Sequence, residues 1–252
     1  MRGRSFRYRQ AVTPIVALLL AGLAFTSYVT GRLIPAADEP LEEVSVPGLS
    51  GSRIPPLGTI NMLVLGSSLS AGADWPEALR DGLQDAWRNC AADDVELRVI
   101  AKGGADSSWG LAQLSGGLDF RPDLVLIEFM INDADIRNRL SRSESLRNHT
   151  EMIEILREAH PDSAIFLLRL NRAHGPRALL RPSLARYERL LPEIARRSSV
   201  GLIDLRPEWR DRWESEGYRS LPDGLHPTDA AARDVNVGKI LSTVGGDLRA
   251  RC

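Results

Sequence analysis

Residues 124–131 read Leu-Val-Leu-Ile-Glu-Phe-Met-Ile, a run that is apolar at every position except one. A strand with one face in water alternates polar and apolar residues, whereas a strand covered by helices on both faces can be apolar throughout. We therefore predict that residues 124–131 form a buried strand of a parallel sheet. This prediction bears on the whole fold, because parallel strands need crossover connections, which are usually helical.

Four more strand-like stretches alternate with helix-like stretches on either side of this run. Strands are predicted at residues 60–65, 95–100, 164–170 and 200–205. The spacing of apolar residues predicts helices at residues 75–87, 145–159, 184–197 and 230–243. The alternation favours an α/β fold with three layers (α/β/α) around a five-stranded parallel sheet, in a domain that spans residues 59–252.

The N-terminal part of the chain has a different composition. Residues 1–10 are basic, residues 11–31 are an uncharged apolar run, and residues 32–58 are rich in Pro, Glu, Ser and Gly. The apolar run is as long as a transmembrane helix requires, ~20 residues, and it is longer than the ~7–15-residue apolar core of most secretion signals. We predict a transmembrane signal-anchor at 11–31 followed by a linker at 32–58; a cleaved signal or a buried helix stays open.

The arginines before the apolar run predict the orientation of the anchor. Basic residues stay on the cytoplasmic side of a membrane, so everything after residue 32 is expected on the extracytoplasmic side, which is the periplasmic side in a bacterium. The chain has 32 basic and 33 acidic residues, so its charge gives no reason to expect a nucleic-acid partner. The sequence does not indicate an oligomeric state.

Two cysteines, Cys90 and Cys252, are too few to form a structural zinc site, and no histidine spacing completes one. We therefore expect no metal and no cofactor. The two thiols could pair in an oxidising compartment, but two unpaired thiols are equally compatible with the sequence.

Two short segments supply a nucleophile, a base and an acid. Residues 65–69 read Leu-Gly-Ser-Ser-Leu at the end of the first predicted strand, and residues 221–227 read Leu-Pro-Asp-Gly-Leu-His-Pro. A serine hydroxyl becomes a nucleophile when an imidazole takes its proton, and a carboxylate beside the imidazole supports that transfer. Only His226 lies in a turn-rich segment beside an aspartate. The other three histidines are expected to be solvated: His149, His160 and His174.

These segments resemble the short sequence blocks of the SGNH (GDSL-type) serine hydrolase family, in the family's order, between residues 61 and 244. The family's first block, Gly-Asp-Ser-Leu, corresponds to residues 66–69, which implies that Ser68 is the nucleophile. Ser67 stands where the family has aspartate, a change that concerns the packing of the turn more than the chemistry. The last block is matched without change and implies that His226 is the general base and Asp223 its acidic partner.

Two further blocks of the family supply an oxyanion hole together with the Ser68 N–H. Residues 102–110 read Lys-Gly-Gly-Ala-Asp-Ser-Ser-Trp-Gly and imply a backbone donor at Gly104, although the spacing also permits Asp106. Residues 130–133 read Met-Ile-Asn-Asp where the family has Gly-x-Asn-Asp, which implies Asn132 as a side-chain donor. Asp135 is expected to be a loop or capping residue.

The resemblance implies a flavodoxin-like SGNH hydrolase fold and a serine esterase that cleaves carboxylic esters, acetyl esters among them, without a cofactor. Its substrate would be a small-molecule or glycan ester. Two alternatives stay open: an acyltransferase that acts on a cell-envelope glycan, and a non-catalytic envelope-binding module.

Two sets of side chains are candidates for contacts with the substrate. Trp75 and Trp109 flank the first two blocks and could line a pocket, although tryptophans more often fill a core. Four arginines after the fourth predicted strand could hold an anionic substrate near the active edge of the sheet: Arg169, Arg172, Arg177 and Arg181.

Overall fold

The sheet has five strands in the computed structural model, which describes residues 39–45, 58–87 and 94–249. The strands are β1 (Thr59–Gly66), β2 (Asp94–Ala101), β3 (Leu124–Glu128), β4 (Ala164–Arg169) and β5 (Gly201–Asp204). Their order across the sheet is β2-β1-β3-β4-β5, and every neighbouring pair is parallel. The predicted five-stranded parallel sheet is confirmed.

Helices connect the strands. They are α1 (Trp75–Trp87), α2 (Ser107–Leu114), α3 (Met130–Asp133), α4 (Arg142–Ala159), α5 (Gly175–Leu179), α6 (Leu184–Glu188), α7 (Leu191–Arg197), α8 (Arg206–Glu216), α9 (Asp229–Ala232) and α10 (Gly238–Arg249). A 3₁₀ turn, Gly217–Arg219, follows α8, and a π-helical turn, Arg233–Val237, joins α9 to α10.

The alternation of side chains along the strands divides the core into two halves. Val64 of β1 packs on one face of the sheet, in a cluster with side chains of α1, α8 and α10. Leu65, the next residue, packs on the opposite face with side chains of α2, α4 and α7. Because successive residues of a strand point to opposite faces, an apolar strand needs helices on both sides. Two helical layers therefore enclose the sheet.

Several element boundaries differ from the predicted ones. The strand predicted at 124–131 ends at Glu128, because the chain turns into α3 at Met130. The helix predicted at 184–197 is two helices, α6 and α7. Pro192 lies in the first turn of α7, where its missing N–H is tolerated, whereas in the interior of one continuous helix it would remove a backbone hydrogen bond. Helix α8 was not predicted, and the helix predicted at 230–243 is interrupted by the π-helical turn.

Residues 39–45, which fall inside the predicted linker, lie along β5. The N–H of Leu202 donates to the carbonyl of Val44 over 3.0 Å, and the N–H of Leu41 donates to the Asp204 carboxylate over 2.8 Å. These bonds attach the segment to the last strand of the sheet.

The predicted signal-anchor at 11–31, most of the predicted linker, and both Cys90 and Cys252 lie outside the described residues. In the part of the chain that the structure describes, no helix combines the length and the apolar character needed to cross a membrane.

Candidate active site

Ser68 lies in a tight turn at the carboxyl end of β1. The N–H groups of Ser70 and Ala71 both donate to the carbonyl of Ser67, over 3.2 and 2.9 Å. The turn follows Gly66, where a Cβ atom would lie 2.4 Å from a carboxylate oxygen of Glu128. Only glycine allows that approach, so the glycine before the serines is a packing requirement of the turn.

The segment that carries His226 is fixed by the loop after β4. Gly224 has a φ of +78°, and a Cβ atom there would lie 2.6 Å from the carbonyl oxygen of His174. The His174 N–H donates to the Gly224 carbonyl over 2.6 Å, and the Asn171 side chain donates to the Leu225 carbonyl over 2.7 Å. These contacts place this segment, residues 221–227 (the histidine loop), at the carboxyl edge of the sheet.

Ser68, His226 and Asp223 form a continuous chain of hydrogen bonds. The His226 Nε2 atom lies 2.8 Å from Ser68 Oγ, and its Nδ1 atom lies 2.8 Å from Asp223 Oδ2. The other oxygen of Asp223 accepts hydrogen bonds from the N–H groups of Leu225 and His226, over 2.9 and 2.7 Å. The structure therefore brings together the three residues that the first and last blocks indicated.

The carboxyl group of Asp223 is held in its ionised form. Partial burial would raise its pKa, but hydrogen bonds from the backbone N–H of His226, from the His226 ring and from the Leu225 N–H outweigh burial. The pKa of Asp223 is therefore well below its usual range. Arg177 of α5 adds an ion pair to the same carboxylate, with 2.8 Å between Nη2 and Oδ2.

Asn132 of α3 is joined to the loop after β2. Its Nδ2 group donates to the carbonyl of Ala105 over 2.9 Å, and its Oδ1 atom accepts from Arg181 over 3.0 Å. The loop itself is tied to β1, because the Lys102 N–H donates to the Gly66 carbonyl over 3.2 Å. Segments that follow β1, β2 and β3 therefore meet at one edge of the sheet, where ligands of parallel sheets bind.

The two candidate backbone donors lie at this edge. Gly104 has a φ of +76°, a conformation that favours glycine, whereas Asp106 caps α2 by accepting from the Trp109 N–H. Within the described residues, no hydrogen bond uses the N–H of Ser68 or of Gly104. Met130, where the related family has glycine, has no positive φ and begins a helical turn, so a larger side chain fits there.

A buried carboxyl group under the serine turn was not identified as a site residue from the sequence. Glu128, at the end of β3, accepts hydrogen bonds from the Ser67 N–H over 2.6 Å, the Ser67 hydroxyl over 2.9 Å and the Ser70 hydroxyl over 2.7 Å. Burial raises the pKa of Glu128 to about 7; these hydrogen bonds oppose the rise, and the nearby Asp133 adds to it. Its one signal in the sequence is that it interrupts the apolar run.

A second buried polar group lies behind Asn132. Asp133 accepts hydrogen bonds from the Ser107 N–H over 2.7 Å and from the Ser145 hydroxyl over 2.5 Å, and burial raises its pKa. The His149 ring, 3.7 Å from the same carboxylate, is buried. The expectation that His149 is solvated was therefore wrong: its face of α4 packs on this group.

Two of the four arginines considered for an anionic substrate are buried in the protein. Arg169 pairs with Glu188 over 3.2 Å and with Asp204 over 3.0 Å. Arg181 pairs with Asp135 over 2.9 Å. Neither guanidinium is open to an anion, so the prediction was wrong for both. Asp135, expected to be a loop or capping residue, is buried and holds this ion pair.

The remaining candidates have mixed outcomes. Trp75 is fully buried, and its indole N–H donates to the Leu69 carbonyl over 2.8 Å, so it supports the serine turn and lines no pocket. Trp109 is half-buried and packs edge-on against Phe129, with 6.5 Å between ring centroids.

His174 and His160 were both expected to be solvated. The His174 ring stacks on Trp213, with 3.6 Å between ring centroids, so one of its faces is covered. His160 follows the last residue of α4 and is half-buried.

Across residues 39–45, 58–87 and 94–249, no group of three or more His, Cys, Asp or Glu side chains is arranged to hold a metal ion.

Comparison with known proteins matches the chain to one family. The sequence profile of the GDSL-like lipase/acylhydrolase family matches residues 64–233. A search of curated proteins found no match.

Solved structures share the fold at low sequence identity. TesA is 24% identical with a TM-score of 0.57, over 75% of this chain and 99% of TesA. A lipase/acylhydrolase from Enterococcus faecalis is 18% identical with a TM-score of 0.60, over 75% and 97%. The acetyl xylan esterase AlAXEase is 18% identical with a TM-score of 0.57, over 73% and 100%. At such identities the likeness shows the fold alone.

Proposed function

Because this chain belongs to the GDSL-like lipase/acylhydrolase family, and is accordingly a carboxylic ester hydrolase, we propose that it cleaves its ester through Ser68, His226 and Asp223. The observation that carries the proposal is the pair of 2.8 Å hydrogen bonds that link Asp223 to His226 and His226 to Ser68. This is the arrangement that an acyl-enzyme mechanism requires.

In the proposed reaction, Ser68 Oγ attacks the acyl carbon of the ester while His226 Nε2 takes the hydroxyl proton. Asp223 carries the negative charge that stabilises the resulting imidazolium. His226 then gives the proton to the departing alcohol, which leaves an acyl group on Ser68. Water, activated by the same imidazole, attacks the acyl-enzyme and releases the acid.

The oxyanion of each tetrahedral intermediate would be held by three donors. We assign the N–H of Ser68, the N–H of Gly104 and the second Nδ2 hydrogen of Asn132. Two facts support the assignment: neither backbone N–H has another partner within the described residues, and the Asn132 amide is oriented by its bond to Ala105. Such donors act in the transition state without the cost of reorganising water.

The proposed substrate is a small-molecule or glycan ester, and an acetyl ester is the first to test because one similar structure is that of an acetyl xylan esterase.

We further propose that residues 11–31 anchor the chain in a membrane and that the hydrolase domain faces the extracytoplasmic side. The sequence pattern of residues 1–31 supports this placement.

The test is hydrolysis of p-nitrophenyl acetate by the full chain, purified in detergent. We expect Ser68→Ala to lower kcat on the order of 10⁴- to 10⁶-fold, because the variant lacks the hydroxyl on which the acyl-enzyme is proposed to form. Ser242→Ala removes another serine hydroxyl, one on α10 that bonds the Lys239 carbonyl, and should leave kcat unchanged. Equal rates for wild type and Ser68→Ala would refute the proposed nucleophile.

The same assay separates hydrolysis from acyl transfer. With an oligosaccharide acceptor added, a hydrolase continues to release acetate, whereas a transferase moves the acetyl group to the acceptor. We expect release of free acetate, and acetylated acceptor as the main product would replace the hydrolase with the transferase.

A further inference from the structure

One short stretch of chain contacts both parts of the proposed catalytic site. Residues 174–181 begin at the His174 N–H, which donates to the Gly224 carbonyl in the histidine loop. Arg177 pairs with the carboxylate of Asp223. At the other end, Arg181 donates to the side-chain oxygen of Asn132. The stretch therefore touches the proposed acid of the triad and a proposed oxyanion donor, which come from different loops.

Each of the three nitrogen atoms of the Arg181 guanidinium has a partner inside the protein. The residue is 5% exposed. Its Nε donates to the Ile131 carbonyl over 2.8 Å, and its Nη2 donates to Asn132 Oδ1 over 3.0 Å and pairs with Asp135 over 2.9 Å. Its Nη1 donates to the carbonyl of Arg177 over 3.2 Å. The planar guanidinium carries five N–H groups and can bind all four of these acceptors at once, whereas the single nitrogen of a lysine ammonium cannot.

These contacts decide which way the Asn132 amide faces. The oxygen and nitrogen ends of an asparagine amide are nearly equal in shape, so hydrogen-bond partners fix its orientation. Arg181 can only donate, and the Ala105 carbonyl can only accept. A rotated amide would oppose N–H to N–H at Arg181 and oxygen to oxygen at Ala105. Only the observed orientation leaves an N–H of Asn132 for an oxyanion.

We infer that Arg181 is a positioning residue for the reaction, which holds the Asn132 amide with its N–H directed to the oxyanion. The inference rests on the proposed function, in which Asn132 is an oxyanion donor. Arg181 touches neither substrate nor reacting atoms, and acts through Asn132. Its positive charge on the oxygen side of the amide also favours donation from the nitrogen side as negative charge develops.

The test begins with Arg181→Lys, which keeps the charge beside Asp135 and loses the fork. We expect kcat to fall by about 10-fold or more with little change in KM, because the lost interaction is one made in the transition state. The matched control is Arg137→Lys, which alters the exposed arginine that binds the same Asp135 carboxylate and should keep the wild-type kcat. Circular dichroism checks that each variant is folded.

A double-mutant cycle distinguishes positioning from a general structural role. Asn132→Ala alone should lower kcat by about 10²- to 10³-fold, the usual cost of one oxyanion donor. If Arg181 acts through Asn132, adding Arg181→Lys to Asn132→Ala should lower kcat by less than about 2-fold further. An arginine that merely supports the fold would lower kcat by the same factor in both backgrounds.

A second pair of variants covers the case in which Arg181→Lys does not fold. Arg181→Gln combined with Asp135→Asn removes the buried charges together, so no carboxylate is left unpaired. The same cycle is then run with this pair in place of Arg181→Lys.

Each outcome decides a different point. Equal losses of kcat in the two backgrounds, or an Arg181→Lys variant with the wild-type kcat, would overturn the positioning role and leave the proposed function standing. A wild-type kcat in Asn132→Ala would instead remove Asn132 from the oxyanion hole, and the positioning role would fail with it.

Discussion

Glu128 is the one polar side chain of the run 124–131, and it lies directly beneath the turn that holds Ser68. Its two oxygens accept from the N–H of Ser67 and from the hydroxyls of Ser67 and Ser70. The last residue of β3 thus fixes the turn that follows β1 and holds Ser68. Ser67, which stands where the related family has aspartate, is suited to this contact because its hydroxyl can donate to a carboxylate.

The raised pKa of Glu128 predicts a loss of stability as pH rises. An exposed glutamate ionises near 4.5, whereas burial raises the pKa of Glu128 to about 7. Below pH 4.5 the group is protonated in both states. Between pH 4.5 and 7 the unfolded chain ionises first, so the free energy of unfolding falls, by about 3 kcal/mol in total. Glu128→Gln cannot ionise and lacks this fall.

Urea unfolding of wild type and Glu128→Gln at pH 4.5, 6 and 8 measures the effect. The free energy of unfolding of the variant, minus that of the wild type, should increase with pH by about 3 kcal/mol. A difference that stays constant over this range would show that Glu128 is not the titrating group.

The positions of individual candidate residues were predictable where they depend on neighbours in the sequence. Ser68, Asn132, Asp223 and His226 lie in short blocks whose residue types already indicate chemistry. The positions of Arg177 and Arg181 depend on contacts between distant parts of the chain: Arg181 and Asn132 are 49 residues apart, and Arg177 and Asp223 are 46 apart. No local pattern encodes such contacts, so the arginines suggested an anion site.

At the scale of elements, the histidine loop depends on the loop that follows β4. Gly224 combines a φ of +78° with a backbone oxygen of His174 at the place of its missing Cβ. Because backbone atoms cannot move aside as a flexible side chain can, any larger residue must displace one of the two loops. One of these two loops carries both Asp223 and His226.

Gly224→Ala is therefore expected to lower activity as well as stability. We predict a loss of about 1–3 kcal/mol in the free energy of unfolding, from the positive φ and the close contact, and a loss in kcat on the order of 10²-fold, since small displacements of catalytic groups have effects of that size. The measurements are urea unfolding and p-nitrophenyl acetate hydrolysis.

Gly217→Ala is the matched control. Gly217 has a φ of +54°, and, its chain neighbours aside, no atom of the described residues lies within 4 Å of its missing Cβ. It should lose about 1–3 kcal/mol of stability from its backbone conformation and keep the wild-type kcat. If Gly224→Ala also kept its kcat, the histidine loop would not depend on the contact with His174.

The sequence predicted the strands but missed one helix and one break between helices, for physical reasons. Four of the five strands could be recognised because each contains a short apolar run, the sign of burial on both faces, whereas β2 alternates polar and apolar residues along most of its length, as a partly exposed strand does. Helix α8, Arg206–Glu216, could not, because most of its residues are charged and only Arg206 and Trp209 are buried. The break between α6 and α7 is marked in the sequence by Pro192, although the apolar spacing continues across it.

At the scale of the whole molecule, the parallel sheet assembles the proposed site from remote parts of the chain. Loops that follow β1, β2, β3 and β4 all lie at one edge, and the histidine loop is hydrogen-bonded to those after β1 and β4. At the carboxyl ends of β4 and β5, a buried ion group of Arg169, Glu188, Asp204 and Arg206 ties these strands to α6 and α8. The sheet therefore positions residues that the sequence keeps 158 apart, such as Ser68 and His226.

The central claim is that this assembly makes Ser68 an activated nucleophile, and covalent labelling tests it most directly. The full chain in detergent is treated with a fluorophosphonate, digested and analysed by mass spectrometry. We predict that one phosphonyl group is attached to Ser68 in the wild type, that Ser68→Ala is not labelled, and that His226→Ala is labelled far more slowly. A folded wild-type protein that stays unlabelled, or one labelled at another serine, would contradict the account.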